Sequence, residues 1–165
     1  MKDPKQLIQS HKSFFETGKT RDISFIKRKL KRLKESIITN EDTIHQALYK
    51  DFKKPKFEAY ISEFGILISE IDIVLNNLSK WSKPKKVRPS RLNFPSKDYI
   101  YSEPYGTVLV ISPWNYPFQL AISPVISAIA SGNTVVLKPS EVSSHTGLII
   151  KTILSEIFND AHLYV

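Results

Sequence analysis

Residues 107–118, TVLVISPWNYPF, decide how the rest of the chain is read. Val108, Leu109, Val110 and Ile111 are apolar at successive positions, the pattern of a parallel strand buried on both faces. A turn with Pro113, Trp114, Asn115 and Pro117 follows, where a nucleotide-binding fold usually places glycines. Residues 118–131, FQLAISPVISAIAS, then read as a helix whose Ala and Ser residues permit close approach to a sheet. Pro124 lies inside it, so a kink is expected, or a helix that starts there. Gly132-Asn133 ends the helix, and Thr134–Leu137 is the next buried strand. Lys138-Pro139-Ser140-Glu141 leads to a helix over Ser144–Phe158, Asn159-Asp160 breaks it, and Leu163–Val165 begins a third strand. This order, βαβαβ with short loops, is the grammar of a doubly wound parallel sheet.

Working outward, residues 1–83 read as a helical segment. Ile23, Ile26, Leu30, Leu33 and Ile37 recur at spacings of three and four, with Thr20 as the expected N-cap. A second helix is predicted from Asn40, with Glu41 and Asp42 in its first turn and Ile44, Leu48 and Phe52 facing inward. Lys54-Pro55 stops it. A third carries Ile61, Phe64, Ile68, Ile71, Leu75 and Leu78 through to Trp81, a stripe suited to packing on neighbouring helices rather than to an autonomous coiled coil. Residues 84–106 form a connector, with Pro84 and Pro89, a short strand over Tyr99–Ser102 and a turn at Glu103–Gly106. Residues 107–165 then hold the sheet. Three parallel strands need further cover, so an incomplete Rossmann-like unit of a larger fold is expected.

The net charge is +8. Residues 99–165 carry only Lys138 and Lys151 against Glu103, Glu141, Glu156 and Asp160, so the positive excess lies wholly in residues 1–98. Such asymmetry can mark a nucleic-acid or anionic-membrane surface. The basic residues fall on helical faces rather than in a tail, and a solvated helical face is the favoured reading. With no cysteine there is no disulfide framework, thiolate metal site or thiol nucleophile. No transmembrane run or secretory leader is evident, which makes a cytoplasmic location the expectation.

Ligands of open parallel sheets bind beyond the carboxyl ends of the strands, which singles out ISPWNYP and KPSE. Glu141 is placed to accept from ribose hydroxyls and Lys138 to donate to the same sugar, although Ser140 and Glu141 could equally start the next helix. Asn115 can donate to a developing oxyanion. Its alternative is an asparagine satisfying its own loop beside a core tryptophan. His11, His45, His145 and His162 lack metal-ligand spacing and are expected at the surface or at helix ends. There is no GxSxG elbow and no Walker loop. Tyr99, Tyr101 and Tyr105 could stack on bases, but their apolar neighbours favour core packing.

EPYGTVLVISPWNYPF followed by SAIASGNTVVLKPSE closely resembles the aldehyde dehydrogenase superfamily, and the helical start with NFPSKDYIYSEPYG resembles its class 3 type. The resemblance spans the chain. It implies NAD- or NADP-dependent oxidation of small-molecule aldehydes to carboxylic acids, through a cysteine thiolate, a thiohemiacetal and a glutamate base, in a homodimeric enzyme. It assigns Asn115 to the oxyanion. Lys138 and Glu141 fall to the ribose, Ser140 joins the cofactor contacts, and Ile111, Ser112, Pro113 and Trp114 lie beside the cofactor. A glutamate at position 141 favours NAD, since a 2′-phosphate would meet its charge. The nucleophile and base have no counterpart in this sequence. The resemblance therefore implies the N-terminal part of such an enzyme, inactive alone, with a basic helical binding module or a remnant without function as competing readings.

Overall fold

The computed structural model of the protein describes residues 3–165. The first helix, α1 (Pro4–Glu16), was not singled out by periodicity, yet its start is well formed: Pro4 occupies the first turn and the Asp3 carboxylate accepts from the Lys5 amide. Helix α2 (Ile23–Thr39) buries Ile26, Leu30, Leu33 and Ile37, as the stripe predicts. Its cap is Asp22, which accepts from the Ser24 amide at 2.8 Å. Thr20, the expected cap, sits two residues too far upstream and is buried in the short turn before the helix. Helix α3 (Glu41–Phe52) begins and ends where expected.

The third predicted helix is one rod with a defect. Helix α4 (Lys56–Ala59) runs through a π-turn at Tyr60–Phe64 into α5 (Gly65–Trp81). A π-turn accommodates one extra residue and rotates what precedes it. Glu63 and Phe64 face inward, in line with Leu67 and Ile71, while Ile61 is 53% exposed. Beyond the turn the buried line is Leu67, Ile71, Val74 and Leu78, with Ile68 and Leu75 at its border. Trp81 lies outside it, half exposed.

Strands β1 (Lys85–Val87) and β2 (Asp98–Ile100) pair as an antiparallel hairpin, slightly upstream of the strand expected at residues 99–102. Tyr99, Tyr101 and Tyr105 are exposed, contrary to the core packing expected of them, because the hairpin and its exit stand away from the helices. The parallel sheet follows as β3 (Thr107–Ile111), β4 (Thr134–Lys138) and β5 (Leu163–Tyr164), in that order across the sheet. Helix α6 (Gln119–Ala130) and helix α7 (Ser144–Ile157) are the two crossovers. Helix α6 starts at Gln119 and runs straight through Pro124.

Two right-handed crossovers stepping the same way leave both helices on one face. That face carries Val110, Val135 and Leu137, which join α2, α3, α5, α6 and α7 in one core. Asn133 ties the layers at the other end of the strands: its Oδ1 accepts from the Gly106 amide at 3.0 Å and its Nδ2 donates to the Ala128 carbonyl at 3.1 Å. The opposite face meets α1, across a cavity of about 580 Å³ lined by Leu7, Ile8, Phe15, Leu109 and Val136. Burial of β3 on both faces is therefore not realised. Leu109 and Ile111 are 61% and 66% exposed, since α1 reaches only the start of the strand.

Much of the basic charge is used internally. Lys29 and Arg32 donate to the carbonyls of Ile157 and Glu156, at the last turn of α7, where unpaired carbonyls and the helix dipole favour cations. Lys34 pairs with Asp72 at 2.6 Å. No helix among the described residues is long and apolar enough to cross a membrane.

Candidate active site

The register of β3 and β4 pairs Ile111 with Lys138, so the ISPWNYP and KPSE turns leave adjacent strands side by side. The Ser112 amide donates to the Lys138 carbonyl at 3.1 Å and extends that pairing by one step into the turn. Ser112 is buried, with no partner for its hydroxyl among the described residues. Pro113 and Asn115 are exposed, and Trp114 is 56% exposed, tilted against Phe52 with ring centroids 6.3 Å apart. A core tryptophan is thus not what the turn encloses. Asn115 makes no side-chain hydrogen bond within the described chain, so it does not satisfy its own loop.

Lys138 and Glu141 form an exposed ion pair at 2.5 Å. The hydrogen bond from Lys138 holds the Glu141 carboxyl below its ordinary range, so it is ionised at neutral pH. Ser140 does what a helix start requires, accepting from the Val142 amide at 3.3 Å. The residues singled out by sequence therefore gather at one end of the sheet as an open surface. Two cavities, of about 580 and 660 Å³, lie elsewhere, and neither is lined by Asn115, Lys138 or Glu141.

Three residues supporting these turns escaped sequence reading. Glu63, fully buried, accepts through Oε2 from the amides of Phe118 and Gln119 at 2.8 and 3.3 Å, while Oε1 is ion-paired with Lys54. It supplies the acceptor that the start of α6 lacks from its own cap residue. Lys54 also lies over the Tyr116 ring, 4.5 Å from its centroid. Asp51, 3% exposed, does the same for α7, accepting from the amides of His145 and Thr146 and from the Thr146 hydroxyl. Burial alone would raise its pKa, but the hydrogen bonds from Thr146 and His145 take it below the usual value. The only available signal was a pair of polar residues, Asp51 and Glu63, on otherwise inward-facing helical positions.

These carboxylates bear on cofactor chemistry. A helix N-terminus next to a sheet is a ready phosphate site. Here both are filled by the chain's own anions. The missing glycine fingerprint and the occupied helix ends agree: neither α6 nor α7 offers a cradle for a diphosphate. The polar groups left facing outward are Asn115, Lys138 and Glu141, which suit an oxyanion and a sugar.

Three of the four histidines are buried rather than superficial: His11, His45 and His162. They fill inner positions of α1, of α3 and of the turn before β5. His162 lies among Phe14, Phe25 and Phe158, with centroids 5.2 to 5.5 Å away, and burial with nearby Lys29 and His11 lowers its pKa to about 4. No group of three metal-ligating side chains occurs among the described residues.

Residues 2–163 match the aldehyde dehydrogenase family. The chain is 46% identical over 160 residues to 4,4′-diaponeurosporen-aldehyde dehydrogenase of Staphylococcus aureus, covering 97% of this chain and 35% of that protein. It is 38% identical over 164 residues to the mouse aldehyde dehydrogenase named dimeric and NADP-preferring, covering 99% and 36%. A substrate-bound Staphylococcus aureus AldH structure superposes on all of this chain and 36% of that one, with 45% identity and a TM-score of 0.96. The chain spans about a third of the length of these relatives. On the match over nearly its whole length, and on relatives that include class 3 enzymes, the chain belongs to the aldehyde dehydrogenase family.

Proposed function

We propose that this chain supplies the oxyanion donor and the ribose contacts of an NAD(P)-dependent aldehyde dehydrogenase, and that by itself it does not oxidise aldehydes. One observation carries the reading: Asn115 is exposed, bonded to nothing in the described chain, and held beside Lys138 and Glu141 by the β3–β4 register. A side-chain amide left unsatisfied on a proline-fixed turn is ready for a ligand oxygen. Its N–H groups stabilise negative charge that develops on an aldehyde oxygen.

Lys138 and Glu141 would hold the sugar of a bound nicotinamide cofactor, Glu141 accepting from hydroxyls and Lys138 donating. The cofactor, when bound, accepts the hydride that leaves the aldehyde carbon. Ionised Glu141 disfavours a 2′-phosphate, which supports NAD over NADP. Trp114 and Ile111 offer apolar surface beside it. The nucleophile must come from outside residues 1–165, because the chain has no cysteine. The whole enzyme is proposed to work as a homodimer on small aldehydes.

The experiment joins residues 1–165 in frame to the remaining two-thirds of the Staphylococcus aureus relative and measures NAD(P)-dependent aldehyde oxidation. Asn115→Ala should lower kcat about a hundred- to a thousandfold, with the cofactor KM little changed. An unaltered kcat would remove Asn115 from the oxyanion role. Steady aldehyde oxidation by the 165-residue chain alone would overturn the claim that it is incompetent.

A further inference from the structure

Among the residues that sequence reading passed over, Lys54 and Glu63 are built unlike ordinary structural partners. Both are buried, on opposite sides of Pro55, and each grips the PWNYPF turn at a different point. Glu63 takes the Phe118 and Gln119 amides, and Lys54 lies over the Tyr116 ring. Asn115 precedes both grips, one residue before Tyr116 and three before Phe118. Since its side chain bonds to nothing in the described chain, its place is set by the backbone of the turn, which these two side chains hold on its far side.

We propose that Glu63, oriented by Lys54, is the positioning residue for the Asn115 donor; this rests on the oxyanion role given to Asn115 above. Three arguments support it. A buried ion pair is a poor source of stability, often matched by apolar residues of similar volume. What an apolar pair could not provide is an acceptor for two amides at the start of α6. The two carboxylate oxygens are divided between the tasks, one for Lys54 and one for the turn, so the lysine fixes the direction in which the other oxygen points. Finally, Glu63 lies within the π-turn at Tyr60–Phe64, a local distortion common at functional sites, and in line with buried Leu67 and Ile71.

The test has two arms. In the first, amide exchange is measured on the 165-residue chain by NMR. Glu63→Leu should speed exchange at Phe118 and Gln119 at least tenfold and move the Asn115 side-chain amide signals, while amides of α2 keep their protection within twofold. Unchanged Phe118 and Asn115 signals would overturn the proposal. So would a uniform loss across all helices, which would make Glu63 merely structural. If Glu63→Leu does not fold, the pair Lys54→Met with Glu63→Gln decides, since it strands no charge and keeps an acceptor oxygen but removes the lysine that aims it. Phe118 exchange more than threefold faster than in the parent chain supports the clamp, and protection within threefold overturns it.

In the second arm, Glu63→Gln is placed in the joined enzyme. A misplaced donor should lower kcat about tenfold with the cofactor KM within twofold, and adding Lys54→Met should not restore the loss. Equal kcat in parent and Glu63→Gln overturns the clamp while leaving Asn115 untouched. If instead Asn115→Ala is harmless, the oxyanion reading falls, and the exchange results still decide whether Glu63 orders the turn.

Discussion

Asp51 and Thr146 lie 95 residues apart in sequence and are joined twice: the Thr146 amide and hydroxyl both donate to Asp51 Oδ2, at 2.8 and 2.7 Å. Helix α3 thereby closes the N-terminus of α7, much as Glu63 closes that of α6. Removing the carboxylate leaves buried donors unpaired. Asp51→Ala should destabilise the chain by about 2–3 kcal/mol, read as a lower thermal midpoint. Because the Asp51 pKa is lowered on folding, its contribution is present above the unfolded value near 3.9 and is lost as pH falls through the folded value. Asp51→Ala should therefore be indifferent to acid in the range where the parent chain loses this increment.

His162 predicts a second and wider pH dependence. Its pKa falls from 6.5 to about 4 in the folded chain, because burial and the nearby Lys29 and His11 disfavour its cation. Between those two values the unfolded state binds the proton and the folded state does not. Stability should be full above about pH 6.5 and decline toward pH 4, by about 3 kcal/mol in all from this group. His162→Phe, which keeps a ring among Phe14, Phe25 and Phe158, should flatten most of that slope in pH-dependent thermal unfolding. His45, also lowered by burial, accounts for a smaller remainder.

Cofactor preference should answer to Glu141. In the joined enzyme, Glu141→Gln removes the charge opposed to a 2′-phosphate while keeping a hydrogen-bonding oxygen. The ratio of kcat/KM for NADP to that for NAD should rise about tenfold, in line with the loss of one unfavourable charge contact. Asn115→Ala should leave that ratio where it was.

Lys29 and Arg32 test whether the basic helix serves the fold or an external polyanion. Replacing both with Met should lower the thermal midpoint, because the α7 carbonyls at Glu156 and Ile157 lose their donors. Binding to duplex DNA or anionic vesicles at 150 mM salt should be absent in the parent chain. Tight, steeply salt-dependent binding would instead revive the reading as a basic module.

The parallel sheet was legible because two signals agree there: apolar runs of strand length, and turn residues at each end. Gly132-Asn133 and Asn159-Asp160 mark the helix ends to within a residue or two of where they fall. Helix α1 was not, since Leu7 and His11 are its only buried residues and no periodic stripe exists to be read. Ile61 was misplaced because the stripe read through Phe64 and Ile68 is off-centre: the buried line runs through Phe64, Leu67 and Ile71 and leaves position 61 to one side. The chemistry-bearing residues could be named because they follow the strands directly. Their supports, Asp51, Lys54 and Glu63, could not, as each acts across 55 to 95 residues of chain or depends on a neighbour that does. Burial of His11, His45 and His162 was missed for a related reason: a lone imidazole carries no periodicity of its own.

The π-turn also limits how the segment between Pro55 and Gly65 can vary in length. Its five residues carry the chain from α4 into α5, and Gly65 leaves little slack, since a Cβ there would stand 3.3 Å from the Tyr60 carbonyl oxygen. Deleting any one residue of 57–62 would restore regular helix and rotate α4 about the axis of α5, carrying buried Ala59 off the core while Glu63 stays in line with Leu67. Substitutions along this stretch can be absorbed at its exposed positions, such as Phe57 and Ile61. Insertions and deletions cannot, so descendants of this chain should drift in composition here while keeping the residue count fixed.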